Sequence, residues 1–341
     1  MLKLRFFQEL FHDITEDQFN RMALDAVQFQ MEENAIYADF VKVLGVDISA
    51  IKHYSGIPFL PVELFKTRKV YASPREPEII FRSSGTTGMI RSTNEVADAS
   101  LYRSSILESF CRFYGSPEDY LICALIPSPK EKPESSLAYM IDTLIQSGAH
   151  PGSGFYLNNQ SQLFEILQPS KSLSLRAQRS NLKQHPSTLI IGLTYALLDF
   201  AEEYPIVLSD AIIMETGGMK GQRKELLRVE VHDILKAAFG VGEIHSEYGM
   251  SEILSQAYSP GNGVFRTPPW MKILIRDVND PLTWERQGRT GGINIIDLAN
   301  IYSSPFIATQ DLGKLNNDGS FEVLGRFDHS DLRGCNLMVE Q

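Results

Sequence analysis

The sequence predicts an α/β fold with a largely parallel or mixed sheet, and three observations carry that expectation. Short apolar strands alternate with helical patterns: residues 78–81, 120–126, 188–191 and 211–214 read as strands, and 97–114 and 137–146 as helices. The first strand runs directly into Ser83-Ser84-Gly85-Thr86-Thr87-Gly88, a loop of small and hydroxyl residues able to close around phosphate. The 341 residues are 43% hydrophobic and 22% charged, an ordinary globular balance with enough chain for one large or two modest cores.

Taken in order, residues 14–46 place Phe19, Met22, Ala23, Ala26 and Val27 at helical spacing behind Thr15, which suits an N-cap. Ile57-Pro58-Phe59-Leu60-Pro61 stops that helical pattern, because each proline removes a donor and restricts the residue before it. The expected organisation is a helical segment over 1–60, an α/β domain over 61–324, and a hinge with a short tail over 325–341. Within the domain, 171–185 carries Lys171, Arg176, Arg179 and Lys183, several serines and no acidic residue. It reads as an inserted, solvated surface loop.

A formal net charge of -10 argues against a nucleic-acid surface, which is built from clustered Lys and Arg. Cys111, Cys123 and Cys335 form no CxxC pair and no zinc spacing, so a reducing cytoplasm is the expected compartment. The start, MLKLRFFQELFHD, interrupts any secretory apolar stretch with Glu9 and Asp13, and no later run is long enough to span a bilayer. A soluble, cytoplasmic protein is expected.

Alone, a Gly/Ser/Thr loop is more often a turn than a nucleotide site, and Met89 after Gly88 rules out a Walker A ending. Three further segments follow it: Glu247-Tyr248-Gly249-Met250-Ser251-Glu252, Thr309-Gln310-Asp311-Leu312-Gly313 and Gly325-Arg326-Phe327-Asp328. Singly, Glu252 reads as a helix-start carboxylate and Asp311 as a turn cap. In this order, the four segments resemble the adenylate-forming superfamily of acyl-CoA synthetases, luciferases and peptide-synthetase adenylation domains. The proline-flanked 57–61 segment and the ending Arg333-Gly334-Cys335-Asn336-Leu337 look closest to the bacterial acyl-protein synthetases of fatty-acid reductase complexes. Phenylacetate-CoA ligase-like proteins are near relatives.

That resemblance implies the superfamily's large N-terminal domain, with mixed sheets and flanking helices, and a C-terminal domain short or absent. It implies ATP and Mg²⁺ as cofactors. Ser83, Ser84, Gly85, Thr86, Thr87 and Gly88 would hold the β- and γ-phosphates, with Arg91 where relatives carry lysine. Thr216, Gly217 and Gly218 would form an adenine-pocket turn, and Tyr248 would lie beside the adenine. Glu252 would coordinate Mg²⁺, next to Ser251 in place of the usual threonine. Asp311 would accept from the ribose hydroxyls, Arg326 would reach the ribose or α-phosphate, and Asp328 would sit at the hinge. These residue types suit a reaction in which a carboxylate displaces pyrophosphate, since that step needs positioning and charge stabilisation above all.

Two departures shape the expected function. The sequence stops soon after its hinge, where relatives continue into a mobile domain with a catalytic lysine, and Gln310 replaces the glycine of Thr-Gly-Asp. The first favours an acyl-protein synthetase, and the resemblance implies that Cys335, near Arg333, would take the acyl group as a thioester for a partner reductase. Cys111 and Cys123 read as packing residues. The alternatives are a phenylacetate-type CoA ligase and a truncated nucleotide- or acyl-binding module. Chain length of the acid, aromatic or aliphatic character, and oligomeric state are not encoded in any spacing.

Overall fold

The computed structural model describes residues 4–84, 90–168, 187–217, 223 and 226–327. They form two compact units, Pro74–Pro268 and a second made of Met1–Ser73 with Pro269–Gln341. Fourteen strands lie among the described residues. They are β1 (Leu60–Pro61), β2 (Ile79–Arg82), β3 (Thr93–Val96), β4 (Tyr120–Leu125), β5 (Gly154–Phe155), β6 (Ser187–Leu193), β7 (Ile212–Thr216), β8 (His245–Tyr248), β9 (Ala257–Ser259), β10 (Val264–Phe265), β11 (Met271–Arg276), β12 (Thr290–Asp297), β13 (Phe306–Leu315) and β14 (Phe321–Arg326).

The Pro74–Pro268 unit is built on one sheet in the order β5-β4-β6-β7-β8-β9. From β5 to β8 the strands are parallel, and β9 closes the edge antiparallel. Parallel neighbours need crossover connections, and the helices Ser136–Gly148, Thr194–Glu203 and Arg228–Phe239 supply them. Helices over both faces explain why β4 is apolar at every position and buried throughout. The helix Ala99–Tyr114 starts where Asp98 accepts from the backbone N–H of Ser100 at 2.9 Å and of Leu101 at 3.0 Å. Among these, β4, β6, β7 and the helices Ala99–Tyr114 and Ser136–Gly148 agree with the ranges expected from the sequence, with ends shifted by a few residues.

In the other unit, β11 to β14 form an antiparallel sheet in sequential order, and β1 lies parallel to β13, pairing Leu60 with Ile307. Thr15 caps the helix Glu16–Glu33 in a reciprocal box with Gln18, as its position suggested. The helical stretch then breaks once, at Asn34, which ends that helix and caps Ala35–Leu44 by accepting from Tyr37 N–H at 3.2 Å. Buried polar side chains tie these helices to the far end of the chain: Gln30 donates to Ile301 O at 2.6 Å and Asn34 to Ser303 O at 2.9 Å. Trp270 is fully buried with Phe11 edge-on at 4.9 Å.

Candidate active site

β2 and β3 form an antiparallel ribbon that leads into the phosphate-type loop, with Arg82 opposite Thr93. One more rung closes the loop's base. Ser83 N donates to Ser92 O at 3.1 Å, and Ser92 N donates to Ser83 Oγ at 3.0 Å. Arg91 reinforces that base, its Nε donating to Ser83 O at 2.5 Å and its Nη1 to Glu134. The adjacent Arg91 guanidinium holds the Glu134 carboxyl below its ordinary range, by hydrogen bond first and by charge second.

Strand alternation turns Ser92, Asn94 and Val96 inward on β3 and at its entrance, so two polar side chains must find partners inside. They find them on the Glu247–Glu252 segment. Ser92 Oγ donates to Glu252 Oε1, Ser251 Oγ donates to Glu252 Oε2 at 2.9 Å, and Asn94 Nδ2 donates to Ser251 O at 2.8 Å. Two motifs some 160 positions apart in sequence are thereby joined at the loop's closing rung. Glu252 is buried, with one hydroxyl donating to each carboxylate oxygen.

The carboxyl ends of the parallel strands carry two more acidic groups. On one face, Thr216 Oγ1 donates to Glu247 Oε2 at 2.6 Å. Gly249 lies so close to this carboxylate that a Cβ there would sit 2.5 Å from Glu247 Oε1. On the opposite face, Glu215 accepts from Ser246 Oγ at 2.8 Å and Thr194 Oγ1 at 3.0 Å, with Arg228 Nε and His232 Nε2 each 3.7 Å away. Burial raises the Glu215 carboxyl, but His232, Arg228 and the two hydroxyls outweigh it and leave it below its ordinary value. Crevices at the carboxyl ends of parallel strands are where open α/β sheets bind ligands. Gly217 leaves β7 with φ +74°, a left-handed turn that glycine adopts without strain. Tyr248 is buried edge-on to Phe265 at 6.0 Å.

The Thr309-Gln310-Asp311 segment lies within β13 of the other unit. Thr309 Oγ1 donates to Ile293 O at 2.8 Å and accepts from Asp311 N–H at 3.0 Å. Gln310 donates to Glu63 at 2.7 Å, a bond that the glycine of relatives has no side chain to make. Register places Asp311 opposite Arg326, whose Nε donates to Asp311 Oδ1 at 3.0 Å. Arg276 supports this corner, donating to Asn294 Oδ1 at 2.7 Å and Thr309 O at 2.6 Å, with its guanidinium 5.5 Å from the Phe327 ring.

A family model described as acyl-protein synthetase, LuxE, matches residues 7–341. The chain belongs to this family. No curated protein matches it by sequence. Among solved structures, 2-hydroxyisobutyryl-CoA ligase in complex with 2-HIB-AMP and CoA aligns with a TM-score of 0.66 at 14% identity, over 92% of this chain and 68% of that one. An ATP-bound RpMatB-BxBclM chimera aligns at 0.53 with 14% identity, and ATP-bound MatB from Rhodopseudomonas palustris at 0.50 with 17%, each over 72% of this chain. The LuxE-family chain spans about half the length of these MatB chains, 47% in each case. At such identities the likeness is one of fold, the adenylate-forming fold.

For the LuxE-family chain, the expected site residues divide as follows. Ser83, Arg91, Ser251 and Glu252 come together in one unit, and Asp311 and Arg326 in the other. Gly85, Thr86, Thr87, Gly88, Gly218, Asp328, Cys335 and the 171–185 loop lie outside the described residues. Sequence reasoning passed over Ser92, Asn94, Glu134, Glu215, Glu247 and Arg276. For Ser92 and Asn94 a signal existed, polar residues at alternate positions leading to Val96 in a short strand. Cys111 is a correction: it is exposed, because the buried face of its helix runs through Tyr102, Ser105, Ile106, Ser109 and Phe110. Cys123 is fully buried in β4, and burial pushes its thiol up to about 12. No helix among the described residues is long and apolar enough to cross a membrane.

Proposed function

We propose that the chain activates a fatty acid with ATP to an acyl-adenylate and passes the acyl group to Cys335 for delivery to a partner reductase. The observation that carries this reading is the hydrogen-bonded junction of the phosphate loop's base with Glu252 through Ser92 and Asn94. It joins a buried carboxylate to the base of a loop whose residue types suit polyphosphate, as nucleotide activation needs. Family membership supports the acyl-protein branch.

The donor set at Glu252 fits Mg²⁺, a hard cation usually held by one or two carboxylates with substrate phosphates and waters completing its shell. When bound, it would supply charge neutralisation at the phosphate oxygens. By the family resemblance, Ser83 to Gly88 would donate N–H groups and hydroxyls to the β- and γ-phosphates, and Arg91 donates to Ser83 O at the base of that segment. By the same resemblance, Asp311 would accept from the ribose hydroxyls and Arg326, whose side chain is 78% exposed, would reach the α-phosphate. The acid's carboxylate oxygen bonds to the α-phosphorus as the bond to pyrophosphate breaks. The Cys335 thiolate then bonds to the acyl carbon and AMP departs.

Incubation with ATP, Mg²⁺ and a panel of labelled carboxylic acids tests this, read by pyrophosphate exchange and by intact mass before and after hydroxylamine. Acid-dependent exchange with a hydroxylamine-labile acyl mass is expected. Absence of exchange with every acid overturns the reading, and release of acyl-CoA on adding CoA, without label on the chain, replaces the acceptor.

A further inference from the structure

We infer that Ser92 is a positioning residue for the metal-binding carboxylate, coupling Glu252 to the phosphate loop through one side chain; the inference rests on the activity proposed above. Ser92 makes three bonds with two different targets. Its backbone N–H and C=O both engage Ser83, the first residue of the loop, and its hydroxyl donates to Glu252 Oε1. Two residues along the same strand face, Asn94 fixes the main chain at Ser251. The carboxylate therefore has its backbone set by one inward residue of the ribbon and its side-chain rotation set by the other. Ser251 restrains the second oxygen, so neither oxygen is left to find its own orientation.

The physical consequence is that Ser83, at the start of the loop, and the Glu252 carboxylate are held to one residue, Ser92. A metal held by that carboxylate together with a substrate phosphate would need both groups in position at once. Partners that orient a ligating carboxylate influence metal affinity strongly even though they never touch the metal. Ser92 is nearly solvent-free, so water does not readily replace its hydroxyl. Its loss would remove that donor from Glu252 Oε1 and loosen the orientation of the carboxylate.

The test compares Ser92→Ala, and the matched pair Ser92→Thr and Ser92→Val, which share shape and strand preference but differ in the hydroxyl. Two readouts are taken: Mg²⁺ dependence of acid-driven pyrophosphate exchange, and Mn²⁺ binding to the protein with ATP by EPR titration, which needs no turnover. Ser92→Ala and Ser92→Val should weaken Mn²⁺ binding roughly 10- to 100-fold and shift the Mg²⁺ requirement upward, while Ser92→Thr restores both. In a Glu252→Gln background, removing the Ser92 hydroxyl should cause no further loss of metal binding. If Ser92→Ala fails to fold, the Thr and Val pair decides alone. Equal metal binding in Thr and Val variants overturns the inference, as does full additivity with Glu252→Gln. Failure of the wild-type chain to exchange pyrophosphate, with Mn²⁺ binding still dependent on the hydroxyl, rejects the proposed reaction and leaves the positioning role standing.

Discussion

Asp311 and Arg326 are register partners on adjacent antiparallel strands, and the Arg326 Nε donates to Asp311 Oδ1 at 3.0 Å. Their side chains differ sharply in exposure, 7% for Asp311 and 78% for Arg326. An ion pair with one exposed partner contributes only ~0–1 kcal/mol. Arg326→Ala should therefore leave thermal stability close to wild type yet lower pyrophosphate exchange on the order of 10²-fold, by loss of a donor to the reacting phosphate. Parallel losses of melting temperature and exchange would show the arginine to be structural.

Glu252→Gln removes one charge with little change of volume and keeps an acceptor for Ser92. Stability should hold while exchange falls and its Mg²⁺ requirement rises. Exchange unchanged at limiting Mg²⁺ would remove Glu252 from the metal site.

Gly249→Ala places a methyl 2.5 Å from Glu247 Oε1, and the carboxylate yields only by disturbing its bond from Thr216. A loss of about 1–3 kcal/mol in denaturant unfolding is expected. Thr216→Val, which removes that bond, should reduce the penalty of the alanine when the two are combined. A penalty of the same size in both backgrounds would refute the coupling.

Glu215 sets a pH dependence. Its folded carboxyl titrates below the ordinary value of 4.5, so the unfolded chain takes up the proton first on acidification. The stability it contributes is complete above that value and is lost as pH falls through the folded value. Glu215→Gln should lower the melting temperature near neutrality and flatten its decline below pH 4.5. An acid limb as steep in the variant as in wild type would assign the effect to other carboxylates.

Cys335→Ser separates adenylation from acyl capture. Exchange should persist, because the loop and Glu252 are untouched, while hydroxylamine-labile label disappears. Exposed Cys111 needs its own serine variant as a control, whereas the Cys123 thiol, pushed up to about 12 by burial, should resist alkylation in the folded chain. Acyl label at wild-type stoichiometry in Cys335→Ser would move the acceptor elsewhere.

Strands β4, β6 and β7 were legible because parallel strands buried on both faces leave unbroken apolar runs such as residues 120–126, whereas β5, of two residues, and β8, with sequence His-Ser-Glu-Tyr, carry no such run. The antiparallel strands from β11 onward passed unread, although β11 alternates buried and half-buried positions with the period of a half-buried strand. Cys111 was misread because an apolar helix has an outer face as well as an inner one, and only packing says which is which.

By itself, the sequence determined the α/β class, the order of the four motif segments and the family resemblance they carry. These are local or sequential properties, written in strand runs, turns and spacing. Tertiary structure alone decided that Ser92 binds Glu252 and Asn94 binds Ser251, that Gln310 binds Glu63, and that Gln30 and Asn34 of the first helices bind the segment between β12 and β13. The reason is that a buried donor must find an acceptor, and which one it meets depends on chain crossings between segments 157 to 271 residues apart, a distance over which no local pattern carries information.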